Sequence, residues 1–271
     1  MLIAKSTFQM GNDSSKSSSS GNKLGGLKIG KKSPAHDVQK HLENSRKSRI
    51  LQLKASNLKN FPEEACQLAD ILRNIDLSQN KIRILPTAIS SFCELRQLHL
   101  SGNQLTEIPD EIGSLRKLEV LNLSGNSHIS KLPDSLVACN QLKTISLASN
   151  AFVEFPSVLC NMLSIEMVDL SQNRIEQLPD EISEIKAQEL NLNQNQLNNL
   201  NASSLSRNKH LKILRVEENC LAKTEFTQQL LEESTISIIA FRGNLFQDSE
   251  FQHLPGYESY QERFTATRRK M

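Results

Sequence analysis

The chain has 271 residues, 23% charged, 38% hydrophobic and 4% aromatic, with no Trp, a soluble globular composition that excludes membrane and collagen-like classes. No run approaches the ~18 apolar residues of a membrane span, and MLIAKSTFQ is too short in apolar residues for a secretory signal. The net charge of +2 is uneven: residues 1–37 carry +4 (six Lys, two Asp), the last eleven carry +3 (Arg263, Arg268, Arg269 and Lys270 against Glu262), and the body carries −5. An acidic body repels a phosphate backbone, so nucleic acid is not expected as a partner, and anionic partners should meet the ends.

Residues 1–32 form a Ser/Gly/Lys-rich tail with little to bury, for which disorder is expected. Within it, Met10-Gly11-Asn12-Asp13-Ser14-Ser15 fits the MGxxxS myristoylation pattern if translation starts at Met10, making Gly11 the candidate acylation site. One acyl chain anchors weakly, and Lys16, Lys23, Lys28, Lys31 and Lys32 would supply a second signal toward an anionic membrane surface. The stretch GGLKIGKK (25–32) approaches a phosphate-binding loop, but Lys32 replaces the required Ser or Thr and no strand precedes it, so it reads as a linker. In 33–48, Ser33 as N-cap, Pro34 at the first helical position and Val38, His41 and Leu42 on one face predict a capping helix.

From 49 to 247 one phrase dominates. Asn80, Asn103, Asn126, Asn150, Asn173, Asn195, Asn219 and Asn244 recur at intervals of 22 to 25 residues, each closing a variant of LxxLxLxxN, as in LRQLHLSGN and LEVLNLSGN. An imperfect first copy, SRILQLKAS with Ser56 at the Asn position, makes nine. Most continue to Pro62, Pro86, Pro109, Pro133, Pro156 or Pro179; His128 is an extra residue, and the last three copies lack the Pro, predicting a less regular convex side there. The pattern resembles the leucine-rich repeats of the short intracellular class. That resemblance implies an α/β fold: a right-handed solenoid, or horseshoe, with a concave parallel β-sheet of about nine repeats. Proteins of this kind begin with a similar Met-Gly-Asn, which implies that residues 1–9 are an upstream extension or an alternative start.

A lone copy cannot stand. In the copy ending at Asn103, Ile89, Phe92, Leu95, Leu98, Leu100, Leu105 and Ile108 point inward and contribute roughly 10–20 kcal/mol, against about 35 kcal/mol for ordering 23 residues at ~1.5 kcal/mol each. Stacked copies share their buried faces. The Asn amide donates and accepts, so a column of these residues can satisfy backbone groups where each strand turns away.

Alternation along each LxL strand places other residues on the concave face. The candidate partner-binding set is Asp76, His99, Asn122, Ser146, Asp169, Glu189, Asn191, Arg215, Glu217 and Arg242, polar at first and charged toward the C-terminus. Nine strands ~4.8 Å apart give a face about 40 Å long, suited to a protein partner. Asp76 and Asp169 lie ~19 Å apart, too far to flank one bond. Asp169 and Glu189 are diagonal neighbours, but no concave aromatic or pocket is implied, and His99 has no second ligand beside it for a metal. No catalytic, cofactor or metal site is expected.

Residues 248–271 read as a C-terminal cap and basic tail, with Phe246, Phe251, Leu254, Tyr257, Tyr260 and Phe264 spaced to cover the last repeat. Cys66, Cys93, Cys139, Cys160 and Cys220 show no CxxC spacing and read as reduced, mostly packed thiols of a cytosolic protein, with the NxS sequons coincidental. The functional expectation is a monomeric, non-enzymatic cytoplasmic scaffold or adaptor binding a protein on its concave face, tethered to membranes if Gly11 is acylated. The alternative is a regulatory subunit or inhibitor docking on an enzyme such as a phosphatase.

Overall fold

The computed structural model describes residues 34–269. Gly11 and the rest of the tail, GGLKIGKK, Ser33, the Val38 side chain, Lys270 and Met271 lie outside the described residues. Helix α1 (Pro34–Ser48) leads into nine three-residue strands: β1 (Ile50–Gln52), β2 (Asn74–Asp76), β3 (Gln97–His99), β4 (Val120–Asn122), β5 (Thr144–Ser146), β6 (Met167–Asp169), β7 (Glu189–Asn191), β8 (Ile213–Arg215) and β9 (Ile238–Ala240). They pair in parallel, in chain order, in one open sheet. Every junction aligns the central apolar residue, from Leu51 against Ile75 to Leu214 against Ile239. The architecture is the leucine-rich-repeat solenoid that the repeat pattern implies.

Local chemistry fixes each coil. The leucines of LxL point into the core; in the copy ending at Asn103, Ile89, Phe92, Leu95, Leu98, Leu100 and Leu105 are fully buried and Ile108 nearly so. The residue before each Asn turns the chain with a left-handed φ, which Gly102 and Gly125 adopt without strain and which Gln79, Ser149, Gln172, Gln194 and Glu218 also adopt. Six 3₁₀ helices follow Pro62, Pro86, Pro109, Pro133, Pro156 and Pro179, whose fixed φ sets the entry to each. Where that proline is missing, the convex side is rebuilt with α2 (Ala202–Arg207) and then a 3₁₀ turn and α3 (Gln228–Glu233).

The asparagines form the expected ladder. Asn103 Nδ2 donates to the carbonyls of Leu77 and Leu100, and its Oδ1 accepts from Ile82 N–H at 3.0 Å. Asn80, Asn126, Asn173, Asn195 and Asn244 repeat this arrangement. Ser56 cannot; its hydroxyl reaches only the Lys54 carbonyl, at 3.4 Å. Asn150 is the other exception. The inserted His128 turns its N–H back to Asn126 C=O at 2.7 Å, with Ser127 in a second left-handed turn, and the buried Asn150 Oδ1 is left without a partner.

The two ends are closed differently. In α1, Leu42 and Ser45 are buried and the Ser45 hydroxyl lies 2.7 Å from His41 C=O and 2.8 Å from Ile50 C=O, joining helix to first strand. His41, expected on the buried face, is exposed, because the face turned inward is that of Leu42 and Ser45. At the far end, α4 (Asp248–Phe251) and α5 (Tyr257–Arg268) cover the last coil. Phe251 stacks on Phe241 with ring centres 4.0 Å apart and meets Phe226 edge-on at 5.4 Å. The Tyr260 hydroxyl accepts the Ile239 N–H at 3.0 Å. Arg263, assigned above to a basic tail, instead donates to the carbonyls of Glu232 and Ile236 at 3.1 and 3.2 Å and to that of Leu231, closing the end of α3.

Asn126→Ala should orphan the Leu105 N–H, whereas Asn150→Ala removes an oxygen that holds nothing. Asn126→Ala should therefore cost about 1–3 kcal/mol more than Asn150→Ala in urea unfolding; equal costs would contradict the gap.

Candidate partner-binding surface

The register places the candidate residues in rows. Asp76, His99, Asn122, Ser146, Asp169, Asn191 and Arg215 are successive partners along one row. Glu189 stands in the row before, between Met167 and Ile213. Glu217 and Arg242 lie two residues beyond Arg215 and Ala240, past the ends of β8 and β9.

Four members of the first row also do structural work that sequence reading missed. Oδ1 of Asp76, Asn122, Asp169 and Asn191 accepts the N–H two residues on, from Ser78, Ser124, Ser171 and Asn193, at 2.9 to 3.1 Å. An Asx side chain here caps the strand exit as it does in a turn. The recurrence of Asp or Asn at this position was the available signal. Asp169 further accepts the Ser171 hydroxyl at 2.7 Å, and Ser124 and Ser146 hydroxyls meet at 2.6 Å.

The charged half is tied across coils. Arg215 Nε holds Glu189 Oε1 at 2.8 Å, Asn193 Nδ2 donates to Glu217 at 3.0 Å, and Arg242 pairs with Asp248 at 3.1 Å. Along the neighbouring rim, Ser149 donates to Gln172, and Gln172 to Gln194 and Gln194 to Glu218 follow at 2.7 Å. Asp169 and Glu189 are thus engaged separately rather than as a carboxylate pair. His99 is half-buried, and among the described residues no three His, Cys, Asp or Glu side chains are grouped as a metal ion requires.

No pocket was expected on this face, but one opens at its C-terminal end, with aromatics from the last coil's core position and the cap rather than from the concave rows. A cleft of about 390 Å³ opens beside β9, lined by Ala240, Phe241, Arg242, Phe251, Tyr257 and Phe264 among others. The spacing of aromatics after Phe246 was legible as a cap, but the gap between cap and strand depends on where α4 and α5 meet the last coil, which the spacing does not give.

The thiols divide. Cys139 and Cys160 are buried, and burial pushes their pKa values up to about 11 and about 12, leaving both protonated and unreactive. Cys66 packs against the core, and Cys93 and Cys220 are exposed, so three of the five are packed as expected. No helix among the described residues is long and apolar enough to cross a membrane.

Comparison with known proteins agrees with this geometry. Models of the leucine-rich repeat match residues 47–105, and of a leucine-rich repeat region residues 87–172. A leucine-rich-repeat protein of Leptospira interrogans is similar in structure at 26% identity and TM-score 0.65, over 80% of this chain and 62% of its own. The plant peptide hormone receptor RGFR1, solved in complex with RGF2, matches at 26% identity and TM-score 0.58 over 69% of this chain. The ectodomain of the Arabidopsis thaliana receptor kinase GASSHO1/SCHENGEN3, in complex with CASPARIAN STRIP INTEGRITY FACTOR 2, matches at 28% identity and TM-score 0.57 over 73%. This chain spans 30% and 24% of those two receptor chains. With its nine register-matched strands and asparagine ladder, the chain has the leucine-rich-repeat fold.

Proposed function

We propose that the chain is a non-enzymatic scaffold or adaptor that binds a protein partner on the C-terminal half of its concave sheet. The observation that carries this reading is the network of cross-coil contacts there, Glu189 to Arg215 and Asn193 to Glu217 above all. Groups already held in place lose less freedom when a partner arrives, and that saving appears as affinity. Half-exposed Met167 and Ile213, on either side of Glu189, supply apolar contact in the same row. Leucine-rich-repeat folds typically serve protein–protein interaction, and two of the similar structures hold peptide hormones or factors.

Within its class the chain is similar to leucine-rich repeat-containing protein 57 through ELNLNQNQ, LKILRVEENCL and GYESYQERFTATRRK. That likeness supports a cytoplasmic, monomeric protein without assigning it a partner. If the partner is an enzyme such as a phosphatase, the chain acts as its docking subunit. In a form that begins at Met10, acylation of Gly11 together with the tail lysines would add peripheral attachment to anionic membranes.

Once proximity labelling in cells identifies the partner, Glu189→Lys and Arg215→Glu should each lower its capture by about tenfold. The double swap should recover part of that loss, with far-UV circular dichroism unchanged throughout. Undiminished capture by both single variants sinks the assignment of this face. A Met10-initiated chain should incorporate myristate, and Gly11→Ala should not; absence of label from both removes the tether.

A further inference from the structure

Every strand of the sheet has a neighbour on each side except β1 and β9. In this parallel register the residues that face the next strand alternate. Leu77 and Gln79 donate outward from the end of β2, to His99 and Ser101 carbonyls at 2.9 and 2.7 Å. By the sheet register the outward positions of the last coil are Ile239 and then Phe241 and Gly243, the last two equivalent to Leu77 and Gln79, because Ala240 and Arg242 carbonyls face β8 and accept from Val216 and Glu218 at 2.7 Å. The cap satisfies only the first of these donors: the Tyr260 hydroxyl takes the Ile239 N–H. Among the described residues, neither the Ile239 C=O nor the Phe241 N–H has a hydrogen-bond partner. The cleft of about 390 Å³ lies along this second half of the edge.

The geometry points to this cleft as a docking site for an extended peptide segment of a partner, which adds to β9 as a short tenth parallel strand. One peptide residue would donate its N–H to Ile239 C=O and accept the Phe241 N–H, the pairing that each inner strand makes with the next. Its side chain would project on the concave side, level with Ala240, and the side chains before and after it would turn toward the rings of the cap. The wall on that second side is aromatic, with Phe251, Tyr257 and Phe264 lining it. Beside the cleft itself Glu217 and Asp248 outnumber Arg242 among the lining side chains. Charge complementarity and the two-residue period therefore select a segment of alternating apolar and basic residues. The site deepens the concave-face reading by specifying what the end of that face binds.

The probe is the acetylated, amidated pentapeptide VKFKV, titrated against the full chain by fluorescence polarisation and by exchange of the Phe241 amide. Binding should slow that exchange. N-methylation of the two Lys amides, which blocks pairing with the edge, should weaken binding at least about tenfold, as should replacement of both Lys by Glu. N-methylation of the Phe amide, which points away, should change binding by less than about twofold. No binding at about 1 mM overturns the proposal, as does binding indifferent to Lys-amide methylation. Concentration-dependent dimerisation that VKFKV disperses would overturn it in favour of a second copy of this chain as occupant. If the peptide fails while Glu189→Lys still reduces partner capture, only the cleft assignment falls.

Discussion

A buried asparagine must serve two coils at once. Its amide nitrogen donates to carbonyls of its own strand exit and of the previous coil, while its oxygen accepts an N–H from that previous coil. Without it, the turn from strand to convex side would bury backbone groups with nothing to bond, at about 1–3 kcal/mol each. The column therefore fixes the register and repeat length within narrow limits, since two coils that disagree in length cannot share a rung. His128 shows the limit. One extra residue adds a left-handed turn at Ser127 and leaves Asn150 Oδ1 unpaired, although the sheet register from β4 to β5 survives.

A ladder has ends, and the ends decide where the molecule can act. At the first coil Ser56 replaces the asparagine and hydroxyls of α1 close the start of β1. At the last coil the closing groups are Tyr260 and Arg263, and burial pushes the Tyr260 phenol above its ordinary range, so it stays a neutral hydrogen-bonding group. That closure covers the start of the β9 edge and leaves the rest beside an aromatic wall. The same coils carry the cross-coil ion pair, so the end of the stack combines fixed polar groups, acidic charge and an open edge.

Much of this was legible in the sequence because a period constrains many positions together. The spacing of Asn80 through Asn244, with Ser56 closing the imperfect first copy, located all nine strands and placed Ile89, Phe92, Leu95 and Leu98 in the core. It also placed His99 and Asp169 on one concave row. What it did not yield depends on side chains from different coils meeting. The pairing of Glu189 with Arg215 and the hydrogen bonding of Arg263 to the end of α3 are of this kind. His41 failed for a related reason: a helical face is read from periodicity alone, and which part of it meets the first coil is set by Ser45 reaching Ile50.

The shared rung is tested most directly by native-state hydrogen exchange resolved by residue. The account predicts strong protection at Ile82, Leu105, Phe152, Ile175 and Leu197, whose N–H groups each bond an asparagine oxygen, and a local minimum at Ile129, where the rung is missing. Protection at Ile129 equal to that of its counterparts, or weak protection across the whole series, would contradict it.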